Sequence, residues 1–527
     1  MNRIYYNLIF ILLSYPLYSQ TNIRILDHKS NVTIKRLDIL NSKYRETNIS
    51  ITPDGKYIFF MSDRGGQKWT GKISTHYKNP GYDGDIWFSK KVDFNWTVPQ
   101  VLNPPVNSSN GEDEPIITPD GQHVYFQSWA GKWQDKNMGG PYYKATLNGE
   151  NWTDVKGLGD SITIFFKLLF YKNLMAATDG MAISPDENVF LVASGNNYEW
   201  NMDIFMSKKN INENWGQLNK LTLNTDSDER SIFIAADGKT IYFASNGYGG
   251  FGGMDIFKTT LDGNGNHGEI VNIGKPFNTE KDDYGFIINA SGDKAYFIRE
   301  GDIYSADLTE ANKEIKPFGT KTISGKLSNT EGKPVVAEVT LSSKSTKTIL
   351  AHSASNSSNG EFSLVSPETV GEFELKIAAD NISETTTRLT FVNQNTYEDF
   401  DINYVFAKDS MRVSNFSTTI SVYFDYDKSE LKEVFKNAIH ARLGSYPMSK
   451  ISNIVICGFT DGDGSIEYNQ ELGLKRAQAV SGYLKSLNLN ANKLKSFGKL
   501  KPIAPNNSDE GKSINRRVEI TINYTFN

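Results

Sequence analysis

A tight turn followed by an aromatic strand recurs through the first three hundred residues, and no other feature narrows the fold as far. Pro53-Asp54-Gly55, Pro119-Asp120-Gly121, Pro185-Asp186-Glu187 and Ala236-Asp237-Gly238 each precede a short strand such as Tyr57-Ile58-Phe59-Phe60 or Thr240-Ile241-Tyr242-Phe243. A fifth, weaker copy ends in Ala295-Tyr296-Phe297, and four copies are followed by an Asp-Ile-aromatic strand at Asp85, Asp203, Asp255 and Asp302. The turn aspartates step by 66, 66 and 51 residues, which is one unit with variable loops. A unit of strand, turn, strand, long loop and strand cannot bury its faces alone, so copies must stack on one another. The pattern predicts a β-propeller of five blades over residues 21–312, with six blades as the alternative, and Arg36 to Ser50 is positioned to supply the closing strand.

The repeated aspartate invites a metal reading, but Pro at the first corner, Asp capping and Gly at positive φ are turn chemistry. Asp461-Gly462-Asp463-Gly464 and Asp262-Gly263-Asn264-Gly265-Asn266 hint at calcium loops. Leu472 and Ile273 stand where an EF-hand needs its acidic twelfth residue, so neither is one. No metal or cofactor is expected.

At 527 residues the chain exceeds a single core, and its 43 glycines and 12% aromatics suit a turn-rich, β-dominated protein. A net charge of −5 supplies no basic field for nucleic acid. Residues 1–19 join Asn2-Arg3 to the apolar run Leu8 to Leu13 and end on Ser19, the pattern of a cleaved export signal, and the run is too short to span a bilayer. The lone cysteine, Cys457, excludes an intramolecular disulfide and is read as a buried thiol. The other apolar run, Ile162 to Met175, is interrupted by Lys167 and Lys172 and is read as a pair of strands.

Alternating strands around Gly325, Gly332-Lys333-Pro334, Gly360-Glu361-Phe362 and Phe373 to Ile377 predict a small β-sandwich over residues 320–406. Leu308 to Lys321 and Ala407 to Thr418 read as exposed linkers.

The remaining segment, residues 415–527, is α/β. A β-branched strand, Ile454 to Cys457, breaks at Gly458-Phe459-Thr460-Asp461, and from about Ile466 a helical period begins. Gly473, Ala477, Val480, Leu484 and Leu487 form its buried seam, with Asn469, Leu472 and Arg476 on a line beside it. A carboxylate facing a guanidinium suits a zwitterion carrying an ammonium and a carboxylate on one carbon. A salt bridge pinning loop to helix is the simpler use of the same two residues.

From Ser421 to Ile522 the chain resembles the OmpA-like peptidoglycan-binding domain, through Val422-Tyr423-Phe424-Asp425, the run Thr460-Asp461, Gly464, Asn469, Leu472, Arg476-Ala477, and the closing Asn515-Arg516-Arg517-Val518-Glu519. The resemblance implies that Asp461 and Arg476 bracket the free amino-acid end of diaminopimelate in the wall peptide, assisted by Asn469, Arg516 and Thr460. Phe459 stands where the family often has His, and Gly473 where it usually has Ser.

The repeats resemble TolB-like, WD-type propeller repeats, and the sandwich resembles the carboxypeptidase regulatory-like domain. That order of parts resembles exported envelope proteins of Bacteroidota, some belonging to the type IX secretion apparatus. It implies a protein of the periplasm or the periphery of the outer membrane, with a wall anchor and envelope protein partners at the propeller. The six histidines are scattered, and neither a zinc H-E-x-x-H nor a G-x-S-x-G elbow occurs. Acidic pairs at Asp228-Glu229 and Asp282-Asp283 read as solvated loop charge. A non-catalytic scaffold is therefore expected, the alternative being a polysaccharide-processing propeller enzyme.

Overall fold

The computed structural model describes residues 23–28, 32–65, 84–92, 95–108, 111–129, 139–171, 177–195, 201–379, 382–393, 397–406, 413–444, 448 and 451–525. The expected export signal lies outside them. Five small, largely antiparallel sheets occupy the first three hundred residues, with first strands Glu46–Ile51, Glu112–Ile117, Ala177–Ile183, Glu229–Ile234 and Asp283–Ile288. Each first strand packs on the next, and that of the fifth sheet packs on that of the first. The apolar clusters lie between neighbouring sheets. Ile49, Ile51, Ile58 and Phe60 of the first sheet, for example, share a core with Ile287, Tyr296, Ile298 and Ile303 of the fifth.

The fifth sheet takes its outer strand from the beginning of the described chain. Ile34–Arg36 pairs antiparallel with Tyr304 to Ala306, slightly ahead of the segment expected to do so. Asn41 then accepts from the Ile303 N–H and donates to the Ile303 carbonyl. Asn107, Asn224 and Asn278 treat Ile86, Ile204 and Ile256 in the same way, so residues 34–41 are the displaced fourth part of the fifth unit.

The turn aspartates are used mainly within their turns, Asp237 also accepting from the Phe318 N–H at 2.9 Å. Asp54, Asp120 and Asp186 accept from the hydroxyls of Thr52, Thr118 and Ser184 and from main-chain N–H groups beyond the turn. Glu187 occupies the left-handed position, at φ 56°, that Gly55, Gly121 and Gly238 fill in the other copies. Its carboxylate crosses to the second sheet, where it accepts from the Tyr125 hydroxyl and from Lys144 at 2.6 Å.

The acidic pairs are not simply solvated charge, since of their four residues only Asp282 is exposed. Glu229 and Asp283 are wholly buried, as are Glu46 and Glu112 at the same place in their sheets. Each accepts from the N–H and hydroxyl of a Ser or Thr four residues earlier: Ser42, Ser108, Thr225 and Thr279. A donor sixteen residues later, Ser62, Ser128, Ser245 or Arg299, completes the set. These carboxylates clamp the incoming loop to the second strand in four of the five sheets, and burial raises the pKa of Glu112, Glu229 and Asp283.

Residues 162–171 of the apolar run lie in a helix, Asp160–Tyr171, rather than in strands, and residues 172–175 lie outside the described residues. Ile162 and Phe166 are buried four residues apart, with Phe165 and Leu169 packed beside them, while Ile164 and Leu168 face out. That is a period of 3.6, not 2.

Leu308 to Lys321 is not an exposed linker. Leu308 and Ile315 are buried in the core of the fourth and fifth sheets, and the Tyr242 hydroxyl donates to the Ile315 carbonyl. The sandwich begins with Lys321–Asn329 and sets its sheets against the turn end of the preceding ones. There Val365 and Tyr397 meet Ala236 and Ala290, and the Asn356 amide donates to the Gly149 carbonyl at 3.2 Å.

Beyond it the chain forms strand Val413–Tyr423, helix Glu433–Gly444, strand Ile451–Phe459, helix Ile466–Ser486, strand Lys493–Gly498, helix Asp509–Asn515 and strand Arg517–Thr525. Val413–Tyr423, whose first half falls in the second expected linker, pairs with Asn403–Phe406 of the sandwich on one side and Arg517–Thr525 on the other. One eight-stranded sheet therefore runs through both units. No helix among the described residues is long and apolar enough to cross a membrane.

The clamp generates a direct expectation. Glu229→Ala leaves three donors unpaired in a buried site and should destabilise the chain by about 2–4 kcal/mol, whereas exposed Glu280→Ala should stay within about 0.5 kcal/mol. Urea unfolding of the two variants measures this, and equal losses would contradict the clamp.

Candidate functional site

Strand Ile451–Phe459 and helix Ile466–Ser486 meet where Gly458 faces Gly473. A Cβ on Gly458 would lie 1.8 Å from the Gly473 carbonyl oxygen, so this close crossing requires glycine. It brings the end of the strand, and with it Thr460 and Asp461, against the first turns of the helix. Ser465 caps that helix by accepting from the Tyr468 N–H.

Asn469 is buried and spends its amide on the loop, donating to the carbonyls of Asp463 at 2.6 Å and Ser465 at 2.9 Å. Thr460 is likewise buried, its N–H donating to Gly498. Asp461, almost buried, accepts from Arg516 at 3.1 Å. The salt bridge between Asp461 and Arg476, the simpler use of those two residues, is not formed: Asp461 pairs with Arg516 instead.

Arg476 has no exposed surface. Its guanidinium donates to the carbonyls of Lys428 at 2.8 Å, Phe459 at 2.9 Å and Asp425 at 3.1 Å. Burial lowers its pKa to about 10, with Asp461 acting in the other direction. Three of its five N–H groups are thereby committed to holding the 425–428 loop against the strand end.

Arg516 retains 15% exposure and also donates to the Phe424 carbonyl. With Tyr423, Phe424, Asp425, Lys432, Phe435, Ser513 and Ile514 it lines an open cleft of about 310 Å³. The site is therefore a carboxylate and two guanidiniums, one sealed behind the other, at the edge of a partly apolar cleft.

Residue spacing alone did not reveal Arg517. It is buried, stacks on Phe459 at 3.8 Å and pairs with Glu519 at 2.8 Å. Phe459, the residue departing from the family pattern, is what it stacks on. Lys512 with Asp463 and Asn515 with Asn506 tie the last helix to the same loop. Cys457, expected to be buried, is half-buried, and burial raises its pKa.

The OmpA family matches residues 423–516. Residues 423–516 are an OmpA-like domain. Over 102 residues this part is 37% identical to Outer membrane protein A of Bordetella avium, covering 19% of this chain and 53% of that protein. It is 36% identical over 100 residues to the Peptidoglycan-associated lipoprotein of Pseudomonas aeruginosa, covering 19% and 59%. The chain thus spans little more than half the length of these curated relatives. Among solved structures it is similar to the peptidoglycan-associated lipoprotein from Burkholderia pseudomallei, at 34% identity over 19% of this chain and 88% of that one, with a TM-score of 0.18.

Arg476→Ala should cost about 3–5 kcal/mol of stability, because three carbonyls lose their donor inside the fold. Arg476→Lys should not restore it, since one ammonium cannot reach all three. Urea unfolding of both variants tests this; an Arg476→Ala chain as stable as wild type would refute the assigned role.

Proposed function

We propose that the OmpA-like domain anchors this protein to peptidoglycan by gripping the zwitterionic end of diaminopimelate in the wall peptide. The match of residues 423–516 carries this reading, and the polar constellation around Asp461 supports it. Asp461 takes the ligand ammonium in exchange for Arg516, and Arg516 swings its charge to the ligand carboxylate. Arg476 lends its two uncommitted N–H groups from behind. Thr460 and Asn469 keep the loop in place.

The five sheets act as the blades of a five-bladed propeller, a reading supported by the cyclic packing of their first strands and by the Asn41 clasp on Ile303. In this reading the propeller presents a non-catalytic surface to an envelope protein, in the periplasm or at the outer membrane, and belongs to an exported assembly of the secretion type. The sandwich occupies the turn end of the propeller, which leaves the opposite end for the partner.

Co-sedimentation of the full chain with purified, diaminopimelate-containing peptidoglycan tests the anchor. Asp461→Ala and Arg516→Ala should each lower retention more than tenfold, a loss of about 2–5 kcal/mol, while melting within a few degrees of wild type. Undiminished retention in both folded variants would end the proposal.

The propeller reading has its own check. A fragment of residues 21–318 keeps Ile315 and should unfold in one cooperative transition, whereas a fragment ending at 312 loses that anchor and should be less stable. Two separate transitions in the longer fragment would argue against a closed ring.

A further inference from the structure

One sheet of the sandwich ends in strand Ile382–Phe391, ten residues long, which pairs with Gly371–Ala379 in a register unbroken from Thr385 to Phe391. Among the described residues no main-chain group bonds its other side. Outer strands elsewhere are blunted: Ile34–Arg36 and Asn219–Lys220 have three and two residues, and Lys493–Gly498 carries Lys493 and Lys495. Ile382–Phe391 contains no glycine, proline or lysine, and its middle is Thr385-Thr386-Thr387, β-branched residues that suit a ladder. It is an open template for another strand.

The strand has an inner and an outer side. Leu389 and Phe391 are buried in the sandwich core, and Thr387 accepts from the Tyr404 hydroxyl at 2.8 Å, so the odd-numbered residues point inward. Glu384, Thr386 and Arg388 lie on the other side and are exposed. Within the sheet, Glu384 pairs with Lys376 at 2.6 Å, and Arg388 stands across from Glu374. The outer side thus carries one negative and one positive charge, two residues to either side of Thr386.

We propose that Ile382–Phe391 is a dimer edge, pairing antiparallel with the same strand of a second copy of this chain about a two-fold axis at Thr386. Residues directly opposite in an antiparallel pair share a face, so the two sheets continue as one, outer side with outer side, only when the axis passes through a residue. Charge then selects which residue. An axis at Thr386 sets Glu384 of each copy opposite Arg388 of the other, twice by symmetry, and extends the rows Lys376–Glu384 and Glu374–Arg388 by a further opposite charge. Moving the axis one residue either way separates these charges, and moving it two sets like against like. The edge is therefore self-complementary, which is what an isologous contact requires, and it is independent of wall binding.

The test uses the full chain in sedimentation equilibrium, where wild type should show a monomer–dimer equilibrium. Glu384→Arg and Arg388→Glu each set like charges opposite one another twice, and each should weaken dimerisation at least tenfold while melting within a few degrees of wild type. An equimolar mixture of the two variants restores opposite charges at both places, and should recover dimers containing one chain of each kind. A wild type that stays monomeric up to its solubility limit would overturn the edge. So would dimers that either variant leaves intact, or a mixture that fails to recover them. If the charge variants do not fold, Thr386→Cys in a Cys457→Ser background decides instead. Mild oxidation should link two copies through position 386 and leave a Glu331→Cys control unlinked, and absence of the link at 386 overturns the proposal.

Discussion

The first sheet has no neighbour on one side unless the chain returns to it, and everything in the first three hundred residues depends on that return. A four-stranded sheet exposes two apolar faces, and burying only one would leave Ile58, Phe60, Tyr296 and Ile298 in water. Residues 34–41 prevent this by completing the fifth sheet from the other end of the sequence. The same juncture gathers the segment that leaves the ring. Arg24 pairs with Glu314, and the Asn312 amide donates to the Asp27 carbonyl, so entry and exit of the chain hold each other.

The repeat was legible because its turns are local: Pro, Asp and Gly act within four residues, and their spacing shows in the sequence. The clamps were not. Glu229 draws its partners from Thr225 and Ser245, and the second of these is adjacent only once a hairpin has formed. An isolated acidic pair at a loop resembles solvated charge until that hairpin exists. The helix at 160–171 was missed for another reason. Two lysines in a short apolar run obscured a period that burial of Ile162 and Phe166 makes plain.

In the C-terminal domain the sequence disclosed which residues gather and left open which of them pair. Helical spacing puts Arg476 near Asp461, yet spacing cannot say that three carbonyls compete for the same guanidinium. The fully buried Arg476 guanidinium is spent on those carbonyls, while Arg516, forty residues on, reaches Asp461 from a partly exposed position. The Phe459 departure follows the same logic. An aromatic ring there gives buried Arg517 a face to lie on, and Phe497 stacks on it at 5.4 Å.

Sequence patterns also suggested an exposed linker between sandwich and OmpA-like domain, and the sheet order argues for a continuous connection. Strand Val413–Tyr423 is hydrogen-bonded to both units, and one apolar core runs without a break from Ile323 and Tyr404 through Ile420 to Ile522. A load applied at Asp461 passes into strand Ile451–Phe459, then to Arg517–Thr525 and Val413–Tyr423, before it reaches the sandwich. Along that route neighbouring strands are pulled past one another, so many ladder bonds share the load rather than breaking one at a time. If the domain grips the wall, the sandwich is then part of the anchor. Between the five sheets and the sandwich lies the short apolar contact of Ala236, Ala290, Val365 and Tyr397, which is far smaller than the core it joins. That contact, rather than the polar segment after Phe406, is where the molecule would yield first.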